Sequence, residues 1–216
     1  DVQQGDIVVI KSGQTIPVDG IVVEGSDSNY LFPAPINLLP EYGSHEITSP
    51  LSEGGYYMCL PLAQGLVVGD APRDTVSVTE LLTTSDSAYS KLSGYSMSTY
   101  EKEDGDIDGP FALAVAITET LSDGGETGVI WVSSAYLLDD STNASISGGN
   151  EDFFLNCVNW LCGSESGISI HAKSLDAEYL AISSGTSSLL TMLMVGVIPV
   201  CFLAAGIVIW VRRKKR

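Results

Sequence analysis

From Leu189 to Val211 the chain runs apolar with no charged side chain, and Arg212-Arg213-Lys214-Lys215-Arg216 follow at once. Some twenty helical residues rising 1.5 Å each match a hydrocarbon core of ~30 Å, so the run predicts one membrane-spanning helix. Its charged flank lies after the apolar stretch and at the wrong end for a signal peptide, so the helix is expected to stay in the mature protein. Five of the ten Lys and Arg residues sit in the last five positions. By the positive-inside rule that end is cytoplasmic and everything before it lies outside. Trp210 is expected at the interface, and Pro199, which lacks a backbone donor, is expected to kink the helix in mid-span. The expected organisation is an extracytoplasmic domain over 1–187, a transmembrane helix over 188–211 and a basic cytoplasmic tail over 212–216.

Without the tail, five basic residues (Lys11, Arg73, Lys91, Lys102, Lys173) face all 27 acidic ones, a formal charge of about −22. Such a surface repels phosphate backbones and anionic lipid heads, which argues against nucleic acid and suits a cation or a basic partner. About 188 residues suffice for one domain with a core. Cys157 and Cys162 lie five apart on a predicted helix, roughly 140° around its axis, so they are not expected to bridge. Cys201 is in the membrane run, which leaves Cys59 as the other ectodomain thiol. Buried free thiols are unusual in secreted eukaryotic proteins and fit a bacterial envelope better.

Gly and Pro clusters cut the ectodomain into short apolar runs rich in Val and Ile. Strands are predicted at Ile7–Ile10, Gly20–Val23, Tyr56–Leu60, Phe111–Thr118, Gly128–Ser133 and Gly167–Ala172. Phe111–Ile117 and Val129–Val132 are continuously apolar, the pattern of strands covered on both faces. A helix is predicted from Glu151 to Cys162, capped by Asn150, stopped by Gly163, with Phe154, Val158 and Leu161 on its apolar stripe. The order strand, Gly-rich loop, helix, strand over 128–172 predicts a βαβ crossover in an α/β layer. Gly94 to Gly109 is an acidic, exposed loop or lid by composition.

The most suggestive metal pattern is Asp104-x-Asp106-x-Asp108-Gly109, since carboxylates at alternate positions before a glycine can curl around a hard cation. The twelfth position of such a loop is Val115 and not the bidentate Glu, which favours a solvated acidic loop and no metal. His45 and His171 are far apart and have no zinc-ligand spacing. His45 is expected in a turn or cap, and His171 on the solvent side of a strand. Thr83-Thr84-Ser85-Asp86-Ser87 has the composition of a nucleophile loop, but a polar strand end is the simpler expectation. No G-x-S-x-G elbow and no P-loop occur, so any ATP hydrolysis belongs to another subunit. Asn143-Ala144-Ser145 is a glycosylation sequon in form and a polar turn in expectation. No cofactor and no catalytic residue is predicted.

An ordered series of short motifs runs through Leu38-Leu39-Pro40, Ser44-His45-Glu46-Ile47-Thr48, Leu60-Pro61-Leu62-Ala63-Gln64 and Leu81-Leu82-Thr83-Thr84-Ser85. It continues in Gly109-Pro110-Phe111-Ala112-Leu113-Ala114-Val115, in Phe154-Leu155-Asn156-Cys157-Val158-Asn159-Trp160-Leu161 and in the closing helix with its basic tail. By these motifs residues 29 to 211 resemble the extracytoplasmic auxiliary subunits of ABC transporters in the gliding-motility-associated (GldG-like) family. The resemblance implies an incomplete Rossmann-like α/β ectodomain beside a multispanning permease and a separate ATPase. Members carry an N-terminal membrane helix and an earlier half-domain before the point where this chain begins, so it looks like a C-terminal portion. The domain's kinship with sugar-binding-like modules of intraflagellar transport proteins implies a sugar or envelope-protein ligand by analogy.

Residues 1 to 25, of uncertain origin, carry a second and local pattern. Gly5-Asp6-Ile7-Val8-Val9-Ile10-Lys11-Ser12-Gly13 with Ile16-Pro17-Val18-Asp19-Gly20 resembles the actuator domain of heavy-metal P-type ATPases. No Thr-Gly-Glu and no Asp-Lys-Thr-Gly-Thr occurs, so the phosphoenzyme cycle lacks its hydrolytic glutamate and its nucleophile. The expectation is a non-enzymatic, single-pass auxiliary subunit of an ABC-type transport system in a bacterial cell membrane. A fragment related to a metal-transporting P-type ATPase and a membrane-anchored adhesin or receptor are the alternatives.

Overall fold

Strand β8 (Ala112–Thr120) carries five consecutive buried residues, Ala112 to Ala116, because it is paired along both edges and covered on both faces at that end. The computed structural model describes residues 20–68, 74–163 and 183–214. In it, β8 lies between β5 (Val76–Thr83) and β9 (Glu126–Val132), with β3 (Glu41–Tyr42) outside β5, and all pairs are antiparallel. The β8–β9 connection is a tight hairpin. Gly124 takes a positive φ of 83°, Leu121 N–H donates to the Gly125 carbonyl at 2.8 Å, and the Asp123 carboxylate accepts from Gly125 N–H at 3.0 Å. A register shift at Leu82 lets Leu81 and Leu82 both reach full burial, although they are adjacent in a strand.

Two smaller sheets complete the head. β1 (Ile21–Val23), β6 (Tyr89–Lys91) and β7 (Ile107–Asp108) pair in that order, as do β2 (Asn37–Leu38) and β4 (Leu60–Pro61). Helices α1 (Ser49–Gly54), α2 (Asp140–Ser145) and α3 (Gly149–Leu161) close the core. Leu38, Ile47, Leu51, Met58, Leu60, Leu81, Leu82, Leu113 and Phe153 meet there, all at or below 1% exposure. Each such side chain contributes about 1.5–3 kcal/mol by leaving water.

The head is therefore a mixed sheet-and-helix fold, with antiparallel pairing throughout the described residues. The predicted strands at Ile7–Ile10 and Gly167–Ala172 lie outside the described residues, and so does the return strand of the expected βαβ crossover. Gly20–Val23, Phe111–Thr118 and Gly128–Ser133 correspond to β1, β8 and β9, while Tyr56–Leu60 shrinks to a strand starting at Leu60. β5 went unpredicted, although Val76 and Val78 alternate with Ser77 and Thr79. The double-sided cover expected for Val129–Val132 is corrected. Val129 and Trp131 are 54% and 56% exposed, because α3 packs on the other face of β9.

Helix α3 also departs from its predicted form. Gly148, at a φ of 87°, caps it in place of Asn150, since the chain enters through a left-handed turn. Asn150 is fully buried: its amide N–H groups donate to the Cys59 and Leu137 carbonyls at 2.7 and 2.9 Å, and its oxygen accepts from Cys59 N–H at 3.0 Å. It satisfies a peptide group that no strand reaches. The buried stripe is Phe153, Cys157 and Trp160, while the predicted stripe of Phe154, Val158 and Leu161 is 39–48% exposed. Both stripes have helical spacing, and burial of Asn150 turns the first inward.

From Ser184 to Lys214 the chain forms one helix of 31 residues with a mean hydropathy of 2.7 over an 18-residue window, long and apolar enough to cross a membrane. Its segments are α4 (Ser184–Thr191), a π-helical stretch (Met192–Val197) and α5 (Ile198–Lys214). The wide turns sit just ahead of Pro199, where the missing donor leaves the preceding carbonyls to rearrange. The foot of this helix is tied to the head. Gly185 N–H donates to the Asp27 carbonyl at 2.9 Å, Ser184 N–H to the Tyr30 carbonyl at 3.4 Å, and Ser183 bridges Leu31.

Two outcomes test this architecture. Asn150→Leu, nearly isosteric but unable to hydrogen-bond, is expected to destabilise the head by about 3 kcal/mol, measured by urea unfolding of the detergent-solubilised chain. A Cβ built on Gly185 lies 3.8 Å from the Asp27 Cβ, the separation of a disulfide. Asp27→Cys with Gly185→Cys should therefore oxidise readily and shift mobility on a non-reducing gel; a pair that stays reduced means the helix foot is not docked.

Candidate functional site

The open face of the four-stranded sheet follows from its register. Residues directly opposite one another share a face. Val78, Ile117 and Val129 form one cross-strand row, and Glu80, Val115 and Trp131 form the next. The other face of β9 meets α3: a Cβ on Gly128 would lie 3.0 Å from the Trp160 ring and 3.3 Å from Leu161. On this face Val78 and Ile117 are half-buried, Val115 is buried, and Val129 and Trp131 at the β9 edge are exposed. Beside Glu80 the face opens into a cleft of ≈ 380 Å³ lined by Glu41, Glu80, Asp86, Val67, Phe111 and others.

Carboxylates dominate this surface because the described residues of the head, 20–68 and 74–163, hold two cations, Lys91 and Lys102, and both are ion-paired. Lys91 has no exposed side-chain surface. Its ammonium donates to Glu103 at 2.5 Å and to the Glu101 carbonyl at 2.7 Å, and lies 3.0 Å from Asp106. Burial by itself lowers the Lys91 pKa, but the two carboxylates outweigh it and hold it above the ordinary lysine value. For Asp106 burial pushes upward, and hydrogen bonds from Glu103 N–H, Lys91 and Leu92 N–H outweigh it and hold the carboxyl below its usual range.

The three aspartates of the calcium-like pattern are accordingly dispersed. Asp106 turns inward to Lys91, Asp108 pairs with Lys102, and Asp104 is exposed at the turn before Gly105. Among the described residues no group of three or more His, Cys, Asp or Glu is placed to hold a metal ion. The acidic stretch is pinned to β6 by a buried cation, a role for Lys91 that the sequence reading missed. Two of the five head cations bracketing that stretch were its visible signal.

The nucleophile-like loop is likewise tied down. Ser85 Oγ donates to the buried Glu24 carboxylate at 2.5 Å, which also accepts from Ser26 N–H at 3.0 Å and Ser85 N–H at 3.3 Å. Glu24 fastens this loop to the end of β1. His45 sits in a turn, accepting from Ile47 N–H at 3.2 Å, with its ring edge-on to Trp160 at 5.5 Å. Burial pushes the Cys59 and Cys157 thiols up to about 12, so neither is a thiolate near neutrality. All four cysteines are free, and Cys162 is exposed where burial was expected. Asn143 of the sequon is buried in α2, its Oδ1 accepting from Glu151 N–H at 3.3 Å. His171 lies outside the described residues.

In the long apolar helix, Pro199 begins a groove continued by Phe202, Leu203, Gly206, Ile207 and Trp210. Lys214 lies over the Trp210 ring at 5.2 Å, and Arg212, Arg213 and Lys214 form the last turn. Lys215 and Arg216 are outside the described residues.

Residues 1–30 match the P-type ATPase actuator domain family. Neither a curated protein nor a solved structure matches the chain. The part of the match that is described, from Gly20 to Tyr30, is built into the head. β1 is fully buried, Val22 N–H donates to the Ala63 carbonyl at 2.9 Å, and Glu24 N–H to the Pro35 carbonyl at 2.9 Å.

Removing the buried cation should release the acidic loop. Lys91→Met is expected to speed tryptic cleavage at Lys102 by about tenfold, read on the intact chain in detergent. For Asp106, a lowered folded pKa means its stabilising contribution is full above the unfolded value of about 3.9 and is lost as pH falls through the folded one. Amide exchange of the 101–108 segment, corrected for intrinsic rates, should accordingly stay slow near neutrality and rise below roughly pH 4.

Proposed function

We propose that the chain is a non-enzymatic, single-pass binding subunit of an ABC-type transport system of the gliding-motility-like kind. The observation that carries this is the uncovered sheet face, with Val129 and Trp131 exposed beside a carboxylate-lined cleft, on a head hydrogen-bonded to the foot of an apolar helix. Exposed aromatic and aliphatic rows of this kind mark partner surfaces. The thiols of Cys59 and Cys157 are buried, and the Ser85 hydroxyl is held by Glu24. In this proposal the head lies outside a bacterial cell membrane and binds a sugar or an envelope protein. The membrane helix engages a permease that works with a separate ATPase. The Rossmann-like layering implied by the family resemblance is the finer part of the proposal and requires a parallel ladder beyond the antiparallel pairs described above.

The actuator-domain match over residues 1–30 favours a second reading, a fragment related to a metal-transporting P-type ATPase. Incubation with radiolabelled ATP separates the two, since a phosphoenzyme forms only under the second and its acceptor motif is missing from this sequence.

Purification from native membranes in mild detergent is expected to recover a permease and a P-loop ATPase with the chain, and a chain that runs alone would overturn the assignment. Protease added to intact cells should digest the head and spare the Arg212–Lys214 end; the opposite pattern reverses the orientation.

A further inference from the structure

Strand β9 is unusual for an edge strand. Its sequence from Gly128 to Val132 is Gly-Val-Ile-Trp-Val, with no charge, proline or bulge to discourage pairing. The hydrogen bonds at its two ends set which groups point outward. Ser133 N–H donates to the Leu113 carbonyl at 2.9 Å, and Leu121 N–H to the Gly125 carbonyl at 2.8 Å, with an unbroken register between them. Antiparallel alternation then turns the odd-numbered residues of β9 toward β8 and directs the N–H and C=O groups of Gly128, Ile130 and Val132 to the outer edge. None of the described residues pairs with that edge. Next to it lie Val129 and Trp131 on the open face and Leu161, 48% exposed, on the helix side.

We infer that the outer edge of β9 receives an extended segment of a partner protein, apolar in its core and flanked by Lys or Arg, as an added strand. The inference rests on the reading of the head as a binding module. Unpaired peptide groups select an extended backbone, and Val129, Trp131 and Leu161 select apolar side chains on both of its faces. Charge selects between occupants. A second copy of this chain would bring a second head of about −22 formal charge against the first, whereas a cationic segment is drawn by the same field. Glu126 at the start of β9 and the Glu80 carboxylate in the Trp131 row supply local anchors for the flanking cations.

The test uses the full chain in detergent with a short peptide whose alternating valine–threonine core is flanked by lysine pairs. Amide exchange at Gly128, Ile130 and Val132 should slow by about tenfold or more on saturation, with Val115 unchanged. Val129→Lys should weaken binding about tenfold while the unfolding midpoint stays near that of the parent, because the substituted side chain is exposed. A peptide with glutamate pairs that protects the edge equally overturns the charge assignment. If the three amides are as protected as Val115 in the chain alone, the edge is already filled and the inference fails. It fails also if the chain is a dimer that Val129→Lys dissociates, which would make the occupant a second copy. Peptide binding without co-purified permease leaves this inference standing and removes the transporter assignment, and the reverse result separates them the other way.

Discussion

Hydrogen bonding of β8 along both edges governs the head. With β5 on one side and β9 on the other, Ala112 to Ala116 leave no backbone group exposed, and their small side chains let other elements approach closely from above and below. Leu113, fully buried, joins Leu81, Leu82 and Phe153 in one cluster. α3 is seated through Gly128 and Trp160, and Asn150 then closes the peptide groups of Cys59 and Leu137. α3 reaches one face of β9, and among the described residues the Val129 and Trp131 side chains on its other face stay exposed. The exposed rows of Val129 and Trp131 are thus a consequence of how the core is assembled.

Charge shapes the rest of the surface. A head with so few cations cannot neutralise its carboxylates pairwise, and it uses Lys91 where burial makes one cation most effective, against Glu103, Asp106 and the Glu101 carbonyl. Glu24 is buried by another route, through hydroxyl and backbone donors from Ser26 and Ser85. Both devices fasten loops to the small β1–β6–β7 sheet, and the outward carboxylates of Glu41, Glu80 and Asp86 are left facing solvent around the cleft.

The helix foot links these features to the long apolar helix. Its bonds run to Asp27, Tyr30 and Leu31, residues that follow directly on the buried β1.

Legibility from the sequence divided along a physical line. A C-terminal helix long and apolar enough to cross a membrane, the acidic character of the head and the central strand at Phe111–Thr118 were readable, because each depends on composition or a continuous local pattern. α3 was readable as a helix and misread as a surface, since its two apolar stripes have the same spacing and only the packing of Phe153, Cys157 and Trp160 chooses between them. Likewise Asp104, Asp106 and Asp108 form a ligand-like series on paper, but Lys91 and Lys102 separate them in space. The sequence alone determined what is apolar, what is charged and where the chain can cross a membrane. Only the tertiary structure decided which apolar face is covered and which carboxylate is paired, because those outcomes depend on groups distant in the chain that compete for the same buried volume.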